Sequence, residues 1–230
     1  MKHGLAILFG CLLAASAFAQ SDRDFYWWNT TSLNVKISEV DDFIVSTKTH
    51  YNQSQHQREL TYIDLAGVRQ LNDWFKMGLA LRFVQRPQTG SIDYEYRPQV
   101  YAIYFNNQHA LKYRSTLRFE QRWFEHTESH QRLLHSFFVD FPRLSKWSIQ
   151  PKLGEELFYK VNGDGFHLAR LYGGFGVFSS SNLAVELLYV WQDTKRAGDW
   201  QVSDVVALNL KFKISLKRVA QLNSAGKIAR

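Results

Sequence analysis

The feature that most restricts the fold of this chain is a two-residue hydrophobic period sustained over long stretches. Within 111–124, Leu111, Tyr113, Leu117, Phe119 and Trp123 share one parity, and Lys112, Arg114, Thr116, Arg118, Glu120 and Arg122 share the other. Successive side chains of an extended chain point to opposite faces, so such a segment has one greasy and one charged side. In 75–83, Phe75, Met77, Leu79, Leu81 and Phe83 alternate with Lys76, Gly78, Ala80 and Arg82, and the period returns in 169–177, 182–192 and 206–214. The alternation and its interruptions define eleven extended segments: 27–38, 43–51, 60–70, 74–86, 93–106, 110–125, 131–141, 147–161, 166–179, 182–193 and 202–215. No helical period lasts long enough to place a crossover helix, so the strands are expected to meet as antiparallel neighbours.

Many segments reach the roughly nine to eleven residues a tilted strand needs to cross a bilayer. A mean hydropathy of −0.32 sits beside a 15% aromatic content and only 4 Pro. A barrel that averages an apolar outside with a polar inside reconciles the two. The expected fold is all-β, an antiparallel transmembrane β-barrel of roughly ten to twelve strands. Alternation alone fits a soluble periplasmic ligand-binding barrel equally well, since that is the same pattern turned inside out. Strand length and aromatic placement favour the membrane form: Trp123 and Trp191 lie near strand ends on apolar faces, and Trp147 opens its segment on the apolar parity. Arg114, Arg118 and Arg122 must then face the lumen, because each would cost about 2–4 kcal/mol against lipid at the midplane.

The N-terminus reads as a secretory signal: Lys2, an apolar run over 5–13, and Ala17-Phe18-Ala19 before Gln20. Residues 1–19 are expected to be cleaved, leaving 20–215 as barrel and 216–230 as a basic, disordered tail. Leu8-Phe9-Gly10-Cys11 offers a weaker lipoprotein alternative. Cys11 is the only cysteine, so the mature chain forms no disulfide and offers no thiolate to a metal. The net charge of +7 is assigned to a polar lumen and the basic tail, because export makes nucleic acid an improbable partner and no binding motif for it is present. The expected location is the bacterial outer membrane, with its lipid and lipopolysaccharide as partners, and the barrel-assembly machinery during insertion.

Connections after the odd-numbered segments look short, and most others, notably 52–59 and 194–201, look longer and more polar. That matches short periplasmic turns and long outer loops. The assignment gives an odd strand count, whereas single-chain bacterial barrels have even counts. One segment is therefore expected to be miscounted, with 27–38 the candidate for exclusion and 21–28 the candidate for a missed strand.

Several motifs carry a family resemblance: Glu95-Tyr96-Arg97-Pro98, Leu117-Arg118-Phe119-Glu120-Gln121-Arg122, Arg132, Glu156-Leu157-Phe158, Arg170-Leu171-Tyr172-Gly173-Gly174 and Leu187-Leu188-Tyr189-Val190-Trp191-Gln192. In this order and spacing, with Trp27 and Trp28 opening the first strand, the chain resembles domain-of-unknown-function family 2490. The resemblance implies an outer-membrane barrel and no established activity. The chain departs from the pattern at Leu134, where the family tends to have Arg, and at Asp204, where His is common.

The candidate site is a luminal polar network on the charged parity: Arg82, Arg97, Arg114, Arg118, Glu120, Arg122, Glu156, Arg170 and Glu186. A focused positive field raises the local concentration of anions, which points to a narrow pore or an anionic-solute-binding barrel. The bland alternative is a mixed-sign network that merely fills the lumen. A structural barrel acting through its outer loops is the other non-catalytic reading. Enzyme activity is not expected: no His-x-Ser pair or G-x-S-x-G motif is present, and the adjacent His135 and Ser136 point to opposite faces. No metal or cofactor is expected either, and Glu125, His126, Glu128 and His130 read as a solvated loop.

Overall fold

The computed structural model describes residues 23–216, except 89, 108–109, 145–148, 164 and 197. The expected signal, Trp147 and nearly all of the tail lie outside the described residues. Eleven strands follow one another: β1 (Asp24–Lys36), β2 (Asp41–Asn52), β3 (Gln57–Asn72), β4 (Phe75–Gln88), β5 (Ser91–Asn106), β6 (Lys112–Phe124), β7 (His130–Asp140), β8 (Gln150–Lys160), β9 (Gly165–Ser179), β10 (Leu183–Arg196) and β11 (Asp199–Ser215). Each pairs with its chain neighbour in antiparallel register, and β1 pairs with β11 to close the barrel.

That closing pair is parallel, with Asp24 opposite Ser203 and Lys36 opposite Ser215. The expected all-antiparallel barrel is therefore corrected to a mixed one with a single parallel seam. The odd strand count is real, and an odd number of up-and-down strands can close only by such a pair. Residues 27–36 of the segment 27–38 belong to the wall, bonded to β2 on one side and β11 on the other, while the residues from Asp24 onward extend that same strand rather than add another.

The connection lengths also differ from expectation. One rim carries connections 53–56, 89–90, 125–129, 161–164 and 197–198; the other carries 37–40, 73–74, 107–111, 141–149 and 180–182. Neither rim is systematically shorter. The stretch 194–201 is mostly ladder, with Lys195 opposite Trp200, and only residues 53–56 of 52–59 lie between strands. Backbone pairing continues past the apolar band into polar sequence, so polarity marks where the greasy belt ends rather than where the strands end.

The outer wall is a belt of exposed aliphatic side chains, among them Leu79 (65% exposed), Leu117, Leu153 and Leu171. Aromatic rings gather at both margins. Toward the rim of connection 89–90 stand Tyr94, Tyr96, Trp123 and Tyr159, all exposed. Toward the other rim, Trp74, Tyr104, Tyr113 and Phe137 follow one another with ring centroids 5.6, 6.0 and 6.2 Å apart.

Inside, glycines make room for rings that lie flat on the wall. A Cβ on Gly78 would fall 2.4 Å from the Tyr101 ring, and one on Gly154 would fall 2.2 Å from Phe138. Tyr26, Trp28, Leu188, Val190, Val205 and Ala207 form a buried apolar cluster along β1, β10 and β11, with Tyr172 packed against it. Tyr101 and Phe138 toward the rim of connection 37–40, and this cluster toward the rim of connection 53–56, fill much of the lumen with side chains, as expected for a barrel of this size.

Candidate functional site

The charged parity of neighbouring strands delivers side chains to one side of the barrel wall, and closure makes them converge. Inward positions are Lys48 and His50 on β2, Asp64 on β3, Arg82 and Arg86 on β4, Glu95 and Arg97 on β5, and Arg118, Glu120 and Arg122 on β6. Arg132 on β7, Glu156 on β8 and Arg170 on β9 complete the arc.

Two carboxylates organise the arginines. The Glu95 side chain has no solvent exposure and receives three guanidinium groups. Arg86 Nη2 lies 2.5 Å from Oε2, Arg97 Nε lies 2.8 Å from Oε1, and Arg122 donates from Nε at 2.6 Å and from Nη2 at 2.9 Å. Glu120, equally buried, accepts from Arg132 Nε at 2.7 Å, while Arg132 Nη2 lies 2.5 Å from the same oxygen. Arg97 Nη1 stands 3.6 Å from it. Arg118 Nε is 2.8 Å from Glu120 Oε1 but off the hydrogen-bond axis, since neither atom finds a hydrogen-bond partner; that contact is purely electrostatic. Arg82 forks onto Asp64, with Nε donating at 2.7 Å. Arg170 donates to Gln192 and to Glu156, and Glu156 also accepts from the Tyr172 hydroxyl at 2.7 Å.

These groups surround an internal cavity of about 170 Å³. Lys48, Arg82, Arg86, Arg97, Arg118, Arg122, Arg132 and Arg170 line it, and Glu156 is the one carboxylate that does. Asp64, Glu95 and Glu120 stand behind the arginines rather than at the cavity surface, so positive charge exceeds negative and faces inward. Lys48 makes no ion pair with any described residue; its ammonium lies 3.9 Å from the centre of the Trp28 ring, which stacks on His50 at 4.2 Å. Fixed guanidinium forks suit a planar or tetrahedral oxyanion, because they present paired N–H donors in the geometry of carboxylate and phosphate.

Seven of the nine residues read from parity meet here: Arg82, Arg97, Arg118, Glu120, Arg122, Glu156 and Arg170. Two do not. Arg114 sits nearer the opposite rim, over the Phe138 ring at 5.6 Å. Glu186 belongs to a separate group with Lys152 at 3.1 Å and Lys211 at 2.7 Å. Lys48, Asp64, Arg86, Glu95 and Arg132 complete the site and are not among those nine. Each holds the inward parity of its segment, which is the signal that could have found them; Glu95 and Arg132 enter the sequence reading only as family motif residues. The Leu134 departure places a buried aliphatic against Phe158 and Leu168, whereas Asp204 accepts a hydrogen bond from the Tyr189 hydroxyl on the outer face.

The stretch 125–130 is not wholly a solvated loop. His130 opens β7, stacks on Phe124 at 5.3 Å and lies 3.2 Å from Arg122 Nη1. His126 Nδ1 is 3.4 Å from Asp93. Asp93, Glu125 and His126 bring their ligand atoms within 4.8 Å of one another, a rim grouping of the kind common on exposed surfaces without a metal.

No curated protein matches the sequence. The profile of a family described as protein of unknown function, DUF2490, matches residues 25–203 of the 230, and the chain belongs to that family.

Proposed function

We propose that this protein is an outer-membrane barrel that holds a small anionic solute inside its wall. The observation that carries the reading is the cavity lined by eight cationic side chains and one carboxylate. Burying so many guanidinium groups is costly unless each is paired, and the three carboxylates behind them leave an excess that a bound oxyanion would neutralise. The membrane setting is supported by strands of 11 to 17 residues, by the exposed aliphatic belt and by aromatic rings at both of its margins. Lipid would cover that belt, and the barrel-assembly machinery would deliver it there. Binding is favoured over conduction because Tyr101, Phe138 and Tyr172 occupy the lumen on the side of the cavity toward connection 37–40, while Trp28 packs beside the cavity against Lys48 and Arg170.

The test is calorimetric titration of the purified, detergent-solubilised protein with inorganic phosphate at constant ionic strength. Saturable binding that falls at least tenfold in Arg122→Gln supports the reading; no binding overturns it. Outer-membrane fractionation with unboiled and boiled gel mobility tests the setting: a fast unboiled band that shifts on boiling is expected, and an unshifted band in the soluble periplasmic fraction refutes it.

A further inference from the structure

A second constellation lies on the outer wall, away from the cavity. Ser115 on β6, His135 on β7 and Glu155 on β8 all hold the outward parity of their strands. The Ser115 hydroxyl is 3.0 Å from His135 Nε2, and His135 Nδ1 is 3.8 Å from Glu155 Oε1. Ladder register makes the meeting possible. Ser115 stands opposite Phe137, His135 stands opposite both Leu117 and Leu157, and Glu155 stands opposite Phe137. The three polar groups therefore sit on one diagonal patch. No pair within one strand is needed, which is why motif reading along the chain does not find it.

We propose that Ser115, His135 and Glu155 form a nucleophile–base–acid triad that cleaves acyl esters of membrane lipids. The arrangement assigns each ring nitrogen its part. With Nδ1 protonated toward Glu155, Nε2 is the lone-pair nitrogen that faces the serine hydroxyl. The serine–histidine distance is within hydrogen-bond reach, and the histidine–carboxylate contact, at 3.8 Å, is longer than a hydrogen bond, as catalytic contacts often are before substrate binds.

Placement names the substrate. Ser115 lies directly opposite Tyr104 in the β5–β6 ladder and two residues from Tyr113, both members of one aromatic margin. Such rings sit at headgroup level in a bilayer, so a hydroxyl just inside them meets the depth at which glycerolipid esters join headgroup to chains. Leu117 and Leu153, both exposed on the same outer face, are surfaces for the acyl chain. His135 and Glu155 remain partly exposed, at 42% and 39% of their side chains, so substrate has access. The pair contributes nothing to the luminal network, so the constellation is separate from the cavity.

The steps balance with water as the only co-reactant. Ser115 Oγ bonds to the ester carbonyl carbon as its proton passes to His135 Nε2. The carbon–alkoxy bond then breaks, and the same proton goes to the departing lysolipid oxygen, leaving an acyl-serine. Water, losing a proton to His135, attacks the acyl-serine, and the fatty acid leaves as Ser115 regains its hydrogen. Ser115 and His135 are the catalytic residues, and Glu155 is a positioning residue.

The test treats the full-length purified protein with a lipophilic fluorophosphonate and maps the adduct by mass spectrometry. Fatty-acid release from phosphatidylcholine–detergent mixed micelles is assayed in parallel. Labelling at Ser115 and hydrolysis that falls at least a hundredfold in Ser115→Ala and His135→Asn are expected, with the boiled–unboiled mobility shift retained. Glu155→Gln should lower kcat at unchanged KM and alter the pH–rate profile, with Glu155→Asp recovering part of the loss. Absence of both labelling and hydrolysis overturns the triad. So does labelling at another serine, or hydrolysis unchanged in folded Ser115→Ala. Phosphate binding in the cavity is untouched by these variants, so the two sites stand or fall separately.

Discussion

Replacing Glu120 with Gln keeps the shape of the side chain and removes the charge that three arginines share. The Glu120 side chain has no solvent exposure, and those of Arg97 and Arg132 are 6% and 8% exposed, so water cannot readily take its place. Breaking a buried pair by removing one partner costs about 3–5 kcal/mol. The lower end applies here, because Arg97 retains Glu95 at 2.8 Å and Arg118 is the most exposed of the three. An anion in the cavity should restore much of this loss. A ligand at 100 times its Kd stabilises the native state by about 2.7 kcal/mol, and the variant's larger positive excess should lower that Kd relative to the parent. The assay is urea unfolding in phosphatidylcholine vesicles, in chloride and in phosphate at matched ionic strength. The expected result is a Glu120→Gln midpoint well below the parent in chloride that recovers in phosphate, with a smaller phosphate effect on the parent. Equal midpoints in chloride would refute the view that the network is electrostatically balanced. A loss that phosphate leaves untouched would refute the cavity as its binding place.

Other perturbations separate the remaining claims. Leu79→Arg, on the most exposed aliphatic position of the wall, should cost about 2–4 kcal/mol of folding free energy in a bilayer if the site lies near the midplane; a neutral result in vesicles would place that face in water. Gly154→Val puts side-chain atoms where the Phe138 ring lies and should destabilise by about 1–3 kcal/mol, read as earlier loss of the fast-migrating gel band on heating. Lys48→Met removes the one cavity cation with no carboxylate of its own and should weaken phosphate binding about tenfold, equivalent to about 1.4 kcal/mol, without lowering the unfolding midpoint.

What the sequence disclosed depended on whether the relevant interaction runs along a strand or across strands. Period two is a property of a single strand, so the alternation of Arg118, Glu120 and Arg122 with Phe119 and Trp123 located a wall segment and its inward side. Partner choice belongs to two strands at once. Nothing in 24–36 or 199–215 states that they pair in parallel, so an odd count reads as an anomaly in the sequence. Depth along the barrel is likewise hidden: Arg114 has the same parity as Arg118 but sits toward the opposite rim, and Glu186 joins different lysines. Ser115, His135 and Glu155 meet only through the registers of two ladders. Polar composition overstates the loop at 194–201, because strand pairing needs backbone groups, which polar residues supply as well as apolar ones.

The parallel seam also gives the molecule a direction. In an up-and-down barrel with an even strand count, the chain enters and leaves on the same side. Here β1 begins at the rim of connection 53–56 and β11 ends at the rim of connection 37–40, so entry and exit lie on opposite faces. In a membrane, one flank of the barrel must therefore be carried across during assembly, while the other stays on the side from which insertion began. If the barrel spans a membrane, the start of β1 and the end of β11 face opposite compartments. Final closure would join two strands travelling the same way, rather than complete one more hairpin.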